Sequence, residues 1–149
     1  MARLALRLAG VAALLHPDGR ATVLDRHGAL LACRLALAGP TPRRDLAGLL
    51  WPDVPAVRAG ANLRQRLLRL RQVAGAAWVQ GSTALQLSPD VQVLPWQDPA
   101  LGELLAGMEA DAEPQLADWL GQIRQQRVAD HVAGLVQQAD AAEAAGQLE

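Results

Sequence analysis

The sequence predicts an α+β fold in which a small antiparallel sheet precedes three helices and a closing hairpin. Three observations carry that prediction. Apolar and polar residues alternate over Arg3 to Leu8, helical periodicity takes over from residue 26, and two short β-like runs flank Gly81-Ser82. The composition permits such a fold. Hydrophobic residues make up 51% of 149 positions, enough for a packed core. Phe and Tyr are absent and Trp occurs four times, so that core must be mainly aliphatic.

In the first strand Leu4, Leu6 and Leu8 alternate with Arg3, Ala5 and Arg7, the period-2 pattern of a half-buried strand. Val11 to His16 supplies a second apolar run, Pro17-Asp18-Gly19 a turn, and Ala21 to Leu24 a third strand. Over 26–38 the apolar residues Leu30, Leu31, Cys33, Leu35 and Leu37 cover more than one helix face, so that helix should be largely buried. Gly39-Pro40 stops it. Thr41-Pro42 reads as the start of the next helix, with Thr41 as N-cap and Pro42 in the first helical position. Leu46, Leu49 and Leu50 form its apolar side, and Trp51-Pro52-Asp53 ends it. Pro55 opens a long helix to Ala74, with Gly75 as its stop. Trp78 to Gln80 and Thr83 to Leu87 make a hairpin, and Val91 to Leu94 one more extended segment.

This order of sheet, helix, short helix, long helix and hairpin is that of a winged helix-turn-helix, whose long helix enters the DNA major groove. The charge distribution agrees. Residues 1–75 hold 12 Arg against Asp18, Asp25, Asp45 and Asp53, a balance of +8. Residues 76–149 hold Arg124 and Arg127 against 11 acids, a balance of −9, and the whole chain carries −1. A basic half suits a polyanion. On the long helix, at about 100° per residue, Leu63, Leu67, Leu70 and Ala74 fall on one side, while Arg58, Asn62, Gln65, Arg66, Arg69 and Gln72 fall on another. A merely solvated face normally mixes signs to gain pairs one turn apart. Between Val54 and Gly75 there are five Arg and no acid. Arg pairs with guanine, and Asn or Gln with adenine, each through two hydrogen bonds. Arg58, Asn62, Gln65, Arg66 and Arg69 are therefore the expected base-reading residues. Arg64 and Arg71, beside the apolar stripe, and Arg43 and Arg44, in the first turn of the short helix, are the expected phosphate contacts.

The segments Leu49-Leu50-Trp51-Pro52-Asp53, Arg58 to Gln65 and Leu70-Arg71 resemble the DNA-binding domain of the antibiotic regulatory protein (SARP-type) activators. The strand at Leu4 to Leu8 and the run Ala29-Leu30-Leu31-Ala32 are similar to theirs as well. The resemblance implies an OmpR/PhoB-type winged helix in a bacterial transcription regulator. The stretch from Asp118-Trp119-Leu120 to Arg127, with Ala139 to Gly146, resembles the opening of the tetratricopeptide-like bacterial transcriptional activator domain that follows in that family. One departure is that the hairpin tip, Gln80 to Thr83, contains no Arg.

The expected organisation is a winged helix over 1–97, a linker over 98–114 with one short helix near Leu101 to Met108, and a helical segment over 115–149. Leu116, Trp119, Leu120 and Ile123 form one apolar stripe of that segment. Val128, Val132, Leu135 and Val136 form a second, rotated stripe, so the tail should dock on the body or on a second copy.

The other function classes find little support. The single cysteine, Cys33, excludes an internal disulfide and reads as a small buried hydrophobe. His16, His27 and His131 share no metal-ligand spacing with it. Ser82 and Ser88 have no adjacent base, no phosphate-binding glycine motif occurs, and Glu109, Asp111 and Glu113 read as solvated. No catalytic activity and no cofactor is expected. Arg7 interrupts the N-terminal apolar stretch, so it does not read as a signal peptide, and no apolar run is long enough to span a membrane. The expectation is a cytoplasmic protein that binds double-stranded DNA, with RNA polymerase and a second copy of the chain as candidate partners. The alternative is a winged-helix protein-interaction module whose helical tail docks on a partner.

Overall fold

The computed structural model describes residues 3–75, 77–108 and 114–147. It is a mixed α+β structure with two small sheets and four α-helices among the described residues. Strand β1 (Leu4–Arg7) pairs antiparallel with β2 (Ala13–Leu15), which pairs antiparallel with β3 (Ala21–Val23). Leu6 stands opposite Leu14, and both are fully buried. The other edge of β1 is taken by β7 (Val91–Val93), which runs parallel to it with Val93 across from Leu6. The sheet order is thus β3-β2-β1-β7. The sequence marks residues 91–94 only as extended. Their pairing with the first strand is a long-range contact that no local pattern encodes.

Helix α1 (Arg26–Ala38) is the buried helix expected from its wide apolar surface, with Leu30, Leu31, Ala32 and Cys33 fully buried. Asp25 caps it, with Oδ1 accepting from the Gly28 backbone N–H at 2.9 Å. Gly28 is needed there. A Cβ at that position would lie 2.9 Å from both Asp25 Oδ1 and Leu70 Cδ2. Leu70 belongs to α3 (Ala56–Ala74), so this glycine lets the first turn of α1 lie directly against that helix.

Thr41 does not cap the next helix. Thr41–Pro42 is a short strand, β4, paired antiparallel with β6 (Ala84–Leu87), and the Thr41 hydroxyl donates to Gly39 O at 2.9 Å. The demand of the hairpin for a third strand wins over local capping propensity. Helix α2 (Arg43–Leu50) begins one residue after the expected first helical position and has no side-chain cap. Strand β5 (Val79–Gln80) completes a second sheet in the order β4-β6-β5. Its turn requires Gly81, where φ is +122° and an added Cβ would fall 2.0 Å from Ala84 O.

One aliphatic core links these elements, with Leu6, Leu14, Leu30, Leu46, Leu63 and Leu85 among its fully buried members. Trp78 is buried with them and donates its indole N–H to Leu70 O at 3.4 Å. Cys33 sits in the same core, and burial pushes its thiol up to about 12. Since the thiolate is the reactive form, alkylating reagent at pH 8 should label Cys33 only as fast as the protein unfolds. Rapid labelling of the native chain would contradict this packing.

The stretch expected to be a linker is packed over its described part. Gly10 N–H donates to Glu103 O at 2.8 Å and Leu105 N–H to Leu8 O at 2.8 Å. Leu104 and Leu105 are fully buried. Leu105 even adopts φ +53°, a conformation that a bulky residue takes only when its surroundings impose it. The short helix expected near Leu101 to Met108 is instead a 3₁₀ turn at Pro99–Leu101. Pro, Gly and acids dominate the composition here and mask the two leucines. Glu109, Asp111 and Glu113 lie outside the described residues.

Helix α4 (Pro114–Gln147) docks its first half on this segment through Leu116 and Leu120, both buried. The two Arg of the acidic half fasten it. Arg124 donates to Leu104 O and Leu105 O, both at 3.0 Å, and pairs with Glu103 at 3.1 Å. Arg127, only 6% exposed, donates to Trp96 O at 2.7 Å and Asp98 O at 2.9 Å. Hydrogen bonds from a charged donor contribute about 1.5–3 kcal/mol. Arg127→Met, which keeps the stem and strands two carbonyls, should therefore lower stability by at least about 1.5 kcal/mol in urea denaturation. A change under about 0.5 kcal/mol would show that the clamp is idle. Beyond Arg127, Val128, Val132, Leu135 and Val136 remain about half exposed. The docking expected of the tail is seen for its first stripe and not for its second. No helix among the described residues is long and apolar enough to cross a membrane.

Candidate nucleic-acid interface

Helix α3 spans 19 residues, about 28 Å at 1.5 Å per residue. Pro55 precedes it with φ −55°, ready for a helical start, and Gly75 ends it in the left-handed conformation at φ 73°. Ala59, Leu63, Leu70 and Ala74 are its buried residues. Leu67, expected in that stripe, is only partly buried. The buried line fixes the directions of the other side chains.

Taking Leu63 as the inward direction, Asn62, Arg69, Arg58 and Gln65 lie about 100–160° round one side. Arg58, Gln65 and Arg69 are exposed and Asn62 is half-buried. Asn62, Gln65, Arg66 and Arg69 line one shallow polar hollow of about 250 Å³, walled by Trp51. Here the structure brings together four of the five expected base-reading residues. Arg58 stands one turn earlier, outside the hollow's lining.

Arg66 differs from the other three. It lies only about 60° from the buried line. Its guanidinium pairs with the Asp25 carboxylate, and its side chain is 20% exposed. The expectation that Arg66 points away from the body, as Arg69 does, is therefore corrected. The reason is rotational: three residues beyond Leu63 leave the side chain flanking the stripe, within reach of the loop before α1.

On the other flank, Arg64 and Arg71 are exposed and line a groove of about 310 Å³ between α3 and the hairpin, together with Arg43. Arg43 is tied to the hairpin turn. Its backbone N–H donates to Thr83 O at 2.9 Å, its Nε to Ser82 O, and its Nη2 to Gly81 O at 3.5 Å. It props the hairpin and brings a positive charge under a tip that has none of its own, which sequence distance hides. Arg44, exposed on α2, borders a second groove between α2 and α3 that also includes Arg64.

Trp51, at the end of α2, packs against the core and borders the groove between α2 and α3. Its ring also stacks on His27 of α1, with centroids 4.9 Å apart and planes 24° from parallel. It thereby also forms a side of the polar hollow. Asp25 and Trp51 are the residues near this surface that the sequence reading did not associate with it. An acid at the N-cap position, just before the helical run from residue 26, was the available signal for Asp25.

The arrangement has the chemistry of an anion-binding surface. Arg64 and Arg71 lie on one side of α3, and Arg58, Arg66 and Arg69 on the other, with no acid on the helix itself. Like charges one turn apart, such as Arg66 and Arg69, cost stability unless a counter-charge is near. Asp25 supplies one such charge to Arg66. Among the described residues no three His, Cys, Asp or Glu side chains cluster as a metal site requires. No protein-family model, curated protein or solved structure matches the chain.

Proposed function

We propose that this protein binds double-stranded DNA in a sequence-dependent way through a winged helix-turn-helix, with α3 in the major groove and the β5–β6 hairpin as the wing. One observation carries the reading: α3 presents five Arg with Asn62 and Gln65 and no acid, on a helix held to the body by a single buried line. The element order supports it, since an α2–α3 pair followed by a hairpin is the layout in which a long helix reads base edges. In this reading Arg69, Asn62, Gln65 and Arg58 contact bases. Arg64, Arg71 and Arg44 contact phosphates, and Arg43 braces the wing. The resemblance to SARP-type activators extends the proposal to bacterial transcription control, where RNA polymerase would be a further partner.

The test is selection from a random duplex pool by the whole chain. An enriched motif with adenine or guanine at adjacent major-groove positions is the expected result. A pool that stays random after repeated rounds would rule out sequence reading.

A second reading, a protein-interaction module, draws on a different observation. Val128, Val132, Leu135 and Val136 leave an apolar stripe on the second half of α4 about half exposed. It concerns another face of the molecule and is compatible with DNA binding by α3.

A further inference from the structure

The Asp25–Arg66 pair has two features that a routine surface ion pair lacks. Asp25 uses its two oxygens for different jobs: Oδ1 accepts from the Gly28 N–H at 2.9 Å and caps α1, while Oδ2 takes the Arg66 guanidinium. The pair also stands at the edge of the polar hollow that Arg66 lines with Asn62, Gln65 and Arg69. The close packing of Gly28 on Leu70 fixes the distance between the first turn of α1 and α3, so the carboxylate is held beside the arginine by the fold itself.

We propose that Asp25 is a specificity-determining residue for the DNA interface, acting by withholding Arg66 from non-cognate phosphates. The inference rests on the DNA-binding reading of α3. A guanidinium with no partner contacts any phosphate within reach, which strengthens binding to every sequence equally. Held by Asp25, Arg66 is available only where the base contacts of its neighbours repay breaking the pair. The Asp25 side chain is 52% exposed against 20% for Arg66, so water reaches and weakens the pair from the carboxylate side, and the guanidinium can be exchanged onto a cognate site. Discrimination built on a repulsive or withheld group is a general route to specificity.

The test measures anisotropy of the whole chain with the selected site and with a scrambled duplex, between 50 and 200 mM salt. Asp25→Asn and Asp25→Ser both retain a capping oxygen for Gly28 N–H and remove the charge. Each should tighten binding to scrambled DNA and steepen its log–log salt slope by about 0.9, one added phosphate contact. The gain over the parent should then shrink about threefold across that salt range, and the preference for the selected site should fall. In the Arg66→Gln background, Asp25→Asn should change neither quantity, because the guanidinium it would release is gone. The inference is overturned if Asp25→Asn and Asp25→Ser match the parent on scrambled DNA. It is also overturned if their effect persists in the Arg66→Gln background, which would make it a general charge effect. A parent chain that binds no duplex fails earlier and in a different place: the DNA reading itself falls, and this inference with it.

Discussion

Replacing Arg69 with alanine should weaken binding to the selected duplex by about 1–3 kcal/mol, roughly 5- to 150-fold, and relax base preference at one position. Arg69 is exposed, lies about 120° from the inward direction of α3, and shares the polar hollow with Asn62 and Gln65. Its loss on a scrambled duplex should be much smaller. Arg64→Ala and Arg71→Ala provide the contrast. Both residues flank the groove beside the hairpin, where in the proposed docking a guanidinium would meet the DNA backbone. Each should weaken all sequences about equally and lower the salt slope by about one. Competition titrations against both duplexes separate the two behaviours. Equal losses on both duplexes for Arg69→Ala would make α3 a clamp and not a reader.

Leu63→Ala should cost about 2–5 kcal/mol of folding stability, a large share of the 5–15 kcal/mol typical of a domain. Leu63 is 1% exposed at the centre of the line that holds α3 to the body. Removing it leaves a cavity under the helix and frees its rotation, so DNA binding should fail together with folding. Leu67→Ala is the comparison. The sequence places Leu67 in the same stripe, but the structure leaves it partly buried, and its truncation should cost distinctly less. Urea denaturation followed by Trp fluorescence measures both. Equal losses at 63 and 67 would mean that α3 sits rotated from the orientation described here.

The elements whose boundaries were legible in the sequence are those set by local chemistry. The 26–38 helix ends where Gly39 and Pro40 forbid continuation, and α3 runs from the residue after Pro55 to the residue before Gly75. The hairpin follows from Gly81, which a side chain could not replace. What was not legible depends on partners distant in sequence. Thr41 looks like a helix cap until Leu85 is brought beside it as a strand partner. Leu104 and Leu105 sit in a composition typical of a linker until Leu8 and α4 cover them. At the candidate interface the polar face of α3 was legible because helical periodicity alone sets it. The fates of Arg43 and Arg66 were not. Each is decided by an acceptor about 40 positions away, the hairpin turn for one and the α1 cap for the other.

If α3 and its flanking arginines form a DNA-binding surface, binding must depend steeply on salt. Fluorescence anisotropy of a labelled duplex is followed with the whole chain from 50 to 200 mM salt. If about three to five phosphates are neutralised by the arginines around α3, log Kd should change against log salt with a slope magnitude of roughly 2.7–4.5. Arg64→Ala and Arg71→Ala combined should reduce that magnitude by nearly two. No anisotropy change at 50 mM salt, or binding that does not respond to salt, would mean that these arginines do not form a DNA-binding surface.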